Sequence, residues 1–202
     1  MAPDTLPEPL RVALAIAATL ERLRVPYVVV GSLASSLYGA PRSTDDVDFL
    51  VALPPDAVPL LVTALIPEYY VSAEAARDAA TARHGGAFNA IHLGSAVKVD
   101  LFVAGDDRFD AERLARRQLV RLTGELAAAP ADVFVDTAEH TVLRKLEWYR
   151  RGGAVSERQW GDVIGVVREQ GERLDRDYMR AWGERLGVGD LLDRAFREGG
   201  SD

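Results

Sequence analysis

The spacing of apolar positions changes character several times along the chain. Leu10, Leu14, Ala17, Ala18 and Leu20 recur every three or four residues, which predicts a helix over 9–23 with that stripe facing a core. Residues 27–30 form an unbroken apolar run and read as a buried strand. Ser32 is placed to cap a short helix over 32–38, and Gly39 to stop it. After a loop over 40–44, residues 47–51 read as a second strand, ended by Pro54-Pro55, and a helix follows near 56–65. Residues 72–83 predict a helix capped by Ser72, and His84-Gly85-Gly86 a flexible turn. Residues 88–93 and 97–103 predict a hairpin around Gly94-Ser95. A helix is expected over 109–117. Residues 118–128 show no dominant period, and a short hairpin around Gly124 is one reading of them.

From about Asp136 the period is helical throughout. Residues 137–151 form one helix, stopped by Gly152-Gly153. Ser156 with Gln159 three residues later is a capping-box pattern for the next helix, which Gly171 ends. Two more helices are expected over 174–186 and 188–197. The predicted architecture is α/β (α+β): a mixed, twisted sheet flanked by helices, then a C-terminal helical bundle. The expected division is 1–130 for the α/β core and 131–202 for the helical part packed on it.

Composition narrows the class without naming a function. The chain has 202 residues, 48% hydrophobic and 27% charged, an ordinary globular balance. With no cysteine it has neither a disulfide framework nor a thiolate metal site. The apolar stretch 10–23 is short and interrupted by Arg11, Glu21 and Arg22, so no membrane span is expected and the chain reads as cytoplasmic. A net charge of −7 argues against nonspecific binding of polyanions, which needs Lys and Arg at the phosphates. Two basic groups, Arg113, Arg116, Arg117 and Arg121 and then Arg144, Lys145, Arg150 and Arg151, read most simply as solvated helix faces.

The chemistry lies in carboxylates on strands. Side chains alternate along a strand, so Asp46 and Asp48 share one face while Val47 and Phe49 take the other. Adjacent carboxylates repel and need a cation or donors. Asp45 beside them reads as exposed and idle. The later strand repeats the pattern, with Lys98 and Asp100 on the face opposite Val97, Val99 and Leu101. If the two strands are neighbours, Asp100 joins Asp46 and Asp48 in a set of three acids able to hold two Mg2+ ions, hard cations that keep oxygen ligands and substrate phosphates. Lys98 would offset charge or touch a phosphate.

The turn before the first acids suits a phosphate. Gly31 lets the backbone come close, Ser32 offers a hydroxyl, and a helix that starts there aims N–H groups at an anion. Ser35 and Ser36 lie one turn on, and Arg42 precedes the acids in the loop. The tryptophans at 148, 160 and 182 read as helix-packing residues rather than base-stacking platforms. His84 and His92 have no spacing that suggests a metal site or a dyad.

The ordered set of strand, Gly31-Ser32, helix, loop, Asp46-x-Asp48 and distant Asp100 resembles the nucleotidyltransferases of the DNA polymerase beta superfamily. Residues 27–51 look particularly like small bacterial members related to the AbiEii/MenT toxin nucleotidyltransferases, through the helix ending in Tyr38-Gly39 and the Arg42-x-Thr44 that follows. Lys145 matches their helix lysine and Asp162 an aspartate in the next helix. His140 stands where those toxins usually carry an acid, with Glu139 adjacent. The resemblance implies transfer of a nucleoside monophosphate from a nucleoside triphosphate to a hydroxyl of a tRNA, a protein or a small molecule, with pyrophosphate released. Asp46, Asp48 and Asp100 would bind metal, and Gly31, Ser32, Arg42, Thr44, Lys98 and Lys145 would serve the substrate. Asp162 would position Lys145 or the acceptor. A cognate antitoxin is an implied partner. The other reading is a catalytically silent nucleotide- or partner-binding module of the same fold.

Overall fold

The computed structural model describes residues 6–122 and 131–200. Its elements follow the order α1 (Glu8–Arg22), β1 (Tyr27–Val30), α2 (Gly31–Tyr38), β2 (Asp46–Val51), a 3-10 turn (Pro55–Ala57), α3 (Val58–Leu65), β3 (Tyr69–Val71), α4 (Ala73–Thr81), β4 (Gly86–His92), β5 (Lys98–Val103), α5 (Arg108–Ala115), β6 (Gln118–Leu122), β7 (Ala131–Val135), α6 (Ala138–Arg151), α7 (Glu157–Gln170), a 3-10 turn (Gly171–Arg173), α8 (Arg176–Arg185) and α9 (Gly189–Gly199). The mixed α/β class expected from the sequence is what the structure shows. The described residues fall into two compact units, one from Met1–Val30 with Thr44–Asp136 and one from Gly31–Ser43 with Thr137–Asp202. No described helix is long and apolar enough to cross a membrane.

The first unit holds the whole seven-stranded sheet, in the order β3-β4-β5-β2-β1-β7-β6. Parallel pairs join β2 to β5 and β1 to β7, and the other neighbours are antiparallel. Val47, Phe49, Val99, Leu101, Phe88 and Ala90 are buried on one face. On the other, Val28, Val30, Leu50 and Leu114 make a second small core with Phe102 against it. In α1 the buried stripe is Val12, Ala13, Ile16, Ala17 and Leu20. That corrects the expected stripe, since Leu10 and Leu14 are half-buried and Ala18 is exposed. The helix has apolar residues on more than one side, and the set spaced 13, 16, 17, 20 is the one packed inward.

The segment 118–122, for which a short hairpin is one reading, is a strand, β6; it pairs antiparallel with β7, and the sequence pattern assigned no element to 131–135. The expected turn at Gly124 lies outside the described residues. Arg113 also departs from its expected solvated face. It is 4% exposed and grips Asp136, itself fully buried, through Nε at 2.9 Å and Nη2 at 2.7 Å, with Asp110 at 3.0 Å from Nη1. Burial opposes the charge of Arg113, but the two carboxylates overcome that penalty and raise its pKa. A buried guanidinium is tolerable only when so paired.

The second unit is helical. Thr137 caps α6 by accepting from His140 N, Ser156 caps α7 by accepting from Gln159 N, and Asp175 caps α8 by accepting from Tyr178 N. Gly171 takes φ 53° at the end of α7, a left-handed turn that favours glycine. Gly39 closes α2 as expected, its N–H bonded to Ser35 O at 2.9 Å. A Cβ there would stand 2.8 Å from Val166 N, so a missing side chain lets α2 meet α7 backbone to backbone. Trp148 is 46% exposed, with Arg151 over its ring. Trp160 does pack, 5.3 Å from Tyr149 and bonded through its indole N–H to Glu198 at 2.7 Å.

Candidate functional site

In the first unit, register brings the strand acids together. β2 runs parallel to β5 with Asp46 opposite Lys98 and Asp48 opposite Asp100. Residues directly opposite in neighbouring strands lie on one face, so the neighbour relation expected for Asp100 holds. The row through Asp48 and Asp100 continues to Val30 on β1 and to Asn89 on β4. Asn89 was not anticipated, although the hairpin signal contained it: a turn centred on Gly94-Ser95 pairs positions symmetric about it, 89 with 100.

A lysine already answers this charge. Lys98 Nζ donates to Asp100 Oδ2 at 2.7 Å. That bond, outweighing the cost of burial, raises the Lys98 pKa, and Asp100, Asp46 and Asp48 all add attraction. A cation thus sits in the joint field of the three acids, and the hard oxygen donors present fit a magnesium ion. The acids are nevertheless not drawn together: among the described residues, no group of three or more His, Cys, Asp or Glu could hold a metal as the side chains stand. Two features explain this. Asp46 and Asp48 are one pleat repeat apart, about 7 Å along the strand, and Lys98 engages Asp100. Thr44 Oγ1 donates to the Asp46 carbonyl at 3.1 Å and so secures the entry to β2.

In the second unit, four of the predicted residues form one polar network. Asp162 on α7 accepts from Arg42 Nε at 2.9 Å, from Arg42 Nη2 at 3.0 Å and from Lys145 Nζ at 2.8 Å. Arg42 Nη2 also donates to Ser32 Oγ. The Asp162 and Lys145 side chains are 9% and 12% exposed. Burial alone would push the Asp162 carboxyl up, but the Arg42 and Lys145 donors outweigh it and hold it below the usual carboxylate range. Two full positive charges share a single carboxylate here, so the cluster of Arg42, Lys145 and Asp162 carries a surplus positive charge.

Local structure explains the placement. Gly31 takes φ 64°, the left-handed conformation that lets the chain pass from β1 straight into α2 without an intervening loop. Ser32 therefore lies inside the helix and is not its cap, which corrects the expected role. Its hydroxyl is turned to Arg42, and Ser35 Oγ donates to its carbonyl at 3.1 Å. Ser36 Oγ accepts from the Arg42 backbone N–H at 3.4 Å, fastening the loop 39–43 to α2. His140 is fully buried and lies 2.6 Å from the Tyr178 hydroxyl, while Glu139 accepts from Asp175 N at 3.2 Å. Both side chains tie α6 to α8. The same unit also has an open cleft of about 780 Å³, lined in part by Tyr149, Trp160, Gly161, Gly165, Arg194 and Glu198.

No protein-family model and no curated protein sequence matches the chain. Solved structures do. An antigenic nucleotidyltransferase-like protein from Paracoccidioides brasiliensis is 16% identical, with 95% of this chain and 93% of that one covered at a TM-score of 0.50. The antibiotic-resistance factor ANT(2'')-Ia in solution is 15% identical over 92% of this chain and 97% of its own, TM-score 0.55. The same factor crystallised with adenylyl-2''-tobramycin is 15% identical over 87% and 97%, TM-score 0.55. The fold is that of the nucleotidyltransferases.

Proposed function

We propose that this chain is a magnesium-dependent nucleotidyltransferase that moves a nucleoside monophosphate from a nucleoside triphosphate to an acceptor hydroxyl. The observation that carries this reading is the register of Asp48 on Asp100, with Asp46 and Lys98 on the same face. Similarity to ANT(2'')-Ia, solved with an adenylylated small molecule, supports it. The acceptor oxygen would form a bond to the α-phosphorus as the bond to pyrophosphate breaks, and the hydroxyl proton would leave to Asp100. Asp46, Asp48 and Asp100 would hold Mg2+, which would neutralise phosphate charge and favour ionisation of the hydroxyl. Lys98, which donates to Asp100, would release it or turn to a phosphate oxygen. In the helical unit, Lys145 and Arg42, with the Ser32 hydroxyl, would offer phosphate oxygens their surplus charge, oriented by Asp162.

The test is incubation with labelled triphosphates, Mg2+ and a cell extract. Label should move to an acceptor, and Asp46→Asn with Asp48→Asn should abolish the transfer; transfer that survives both changes overturns the mechanism. The Lys98–Asp100 bond favours one rival, a silent nucleotide-binding module in which the lysine permanently stands in for metal. Calorimetry separates the two, since tight triphosphate binding with no pyrophosphate released under any acceptor belongs to the module. A toxin role rests on the resemblance alone. Normal growth on expressing this chain, with and without the adjacent gene product, would count against it.

A further inference from the structure

The sheet face that carries the acids does not end at Asp100. Two rows cross β5 onto β4 and the edge strand β3: Asp48, Asp100 and Asn89, and Asp46, Lys98, Ile91 and Tyr70. Alternation along β4 confirms the face, with Ala87, Asn89 and Ile91 exposed while Phe88 and Ala90 between them are buried. Tyr70 is 65% exposed, whereas its neighbour Tyr69 turns to the opposite face against His92. The surface thus grades from carboxylates, through one amide, to an aliphatic and an aromatic side chain.

We propose that this strip is the acceptor subsite, and that the acceptor is a small uncharged alcohol bearing a flat apolar group. The inference rests on the nucleotidyl-transfer reading and names its second substrate. Asp100 would take the reacting hydroxyl and Asn89, next in the row, would hydrogen-bond a neighbouring polar group. Ile91 and Tyr70 would cover an apolar ring, with the Lys98 stem filling the space between. Two strand spacings across and two residues along separate the Cα atoms of Asp100 and Tyr70 by about 12 Å. That suits a molecule the length of an aryl glycoside. The lining argues the class: beyond the acids and Lys98, Ala87, Asn89, Ile91 and Tyr70 carry no charge of either sign, so the part of the acceptor that lies over them needs none. A polyanion such as a nucleic-acid end would find nothing there to neutralise its phosphates, while a neutral alcohol meets no such repulsion.

The test uses p-nitrophenyl-β-D-glucoside as probe and methyl-β-D-glucoside as control. The chain has four isoleucines, at 16, 66, 91 and 164, so methyl labelling gives a sparse NMR spectrum. The Ile91 methyl should shift saturably with the aryl glycoside and not with the methyl glycoside, and Tyr70→Ser should weaken that binding at least fivefold. With triphosphate and Mg2+, label transfer to the aryl glycoside should exceed transfer to the control at least tenfold. Asn89→Ala should raise the aryl glycoside KM without moving the triphosphate KM. An unmoved Ile91, or a shift at Ile164 instead, overturns the subsite. So does an Ile91 signal that moves with protein concentration alone, which would make the strip a contact between copies. Ile91 shifts without label transfer to the aryl glycoside would overturn the strip's acceptor role; the transferase reading falls separately, if no label moves to any acceptor in the cell extract.

Discussion

Replacing Asp162 by alanine removes one carboxylate that accepts three bonds from Arg42 and Lys145. Each hydrogen bond to a charged group contributes about 1.5–3 kcal/mol, and breaking a buried pair by deleting one partner costs about 3–5 kcal/mol. Arg42, whose side chain is 25% exposed, can recover part of its hydration, whereas Lys145 at 12% recovers less. The lower end is therefore expected: about 3 kcal/mol, or roughly 150-fold in the folding equilibrium. All three tryptophans, at 148, 160 and 182, belong to the helical unit, so their fluorescence during urea unfolding reports on the unit that loses the bond. The pH dependence follows from the depressed pKa of Asp162. Its stabilisation is complete above the unfolded carboxylate value of about 4 and is lost as pH falls through the lower folded value. Wild type and variant should thus differ fully at neutral pH and converge in acid. Joint replacement of Arg42 and Lys145 by methionine and Asp162 by leucine should recover most of the loss, because apolar residues need no partner. A loss below about 1 kcal/mol, or a gap that persists unchanged into acid, would refute the account.

Lys98→Met should tighten Mg2+ binding measured by calorimetry roughly tenfold, since it removes a competing cation at a partly exposed site; unchanged or weaker binding would count against the acids as metal ligands. Arg113→Ala strands the buried Asp136 and should cost about 3–5 kcal/mol, read as faster hydrogen exchange of β1 and β7 amides. Gly39→Ala forces a Cβ against the Val166 and Gly165 backbone, which cannot give way as a side chain would. It should cost about 2 kcal/mol by tryptophan fluorescence.

Much of the fold was legible because its signals are local. Ser72, Thr137 and Ser156 sit where their helices begin, and alternation assigns Val47, Phe49, Val99 and Leu101 to the buried face and Asp48, Lys98 and Asp100 to the other, although Leu50 on that second face is buried as well. What failed needed knowledge of partners distant in sequence. Arg113 lies in an arginine-rich segment that looks solvated, and only the fold brings Asp136 to it. Residues 131–135 form a run as long as 47–51 to which the sequence pattern assigned no element, and they become a strand by pairing with β6 and β1. Ser32 has the composition of a cap, but the left-handed Gly31 starts the helix one residue earlier and releases the hydroxyl for Arg42.

The candidate site divides along the same line. Alternation alone put Asp46 with Asp48 and Lys98 with Asp100, because a strand's period of two is fixed by its backbone. It did not say which acid would oppose which; parallel pairing of β2 with β5 could have slipped by two residues and kept every side chain on its face. The register found, Asp48 on Asp100 and Asp46 on Lys98, leaves each carboxylate pair with a different neighbour: an acid across from an acid, and an acid across from a cation. A two-residue slip would have set Asp46 opposite Asp100 and moved Lys98 off β2. The observed register instead concentrates negative charge at one rung and supplies the lysine at the next, where it reaches Asp100 along its own strand. The lysine thereby gives Asp100 a charge partner of the kind the proposed Mg2+ would supply, one rung from the facing pair Asp48 and Asp100.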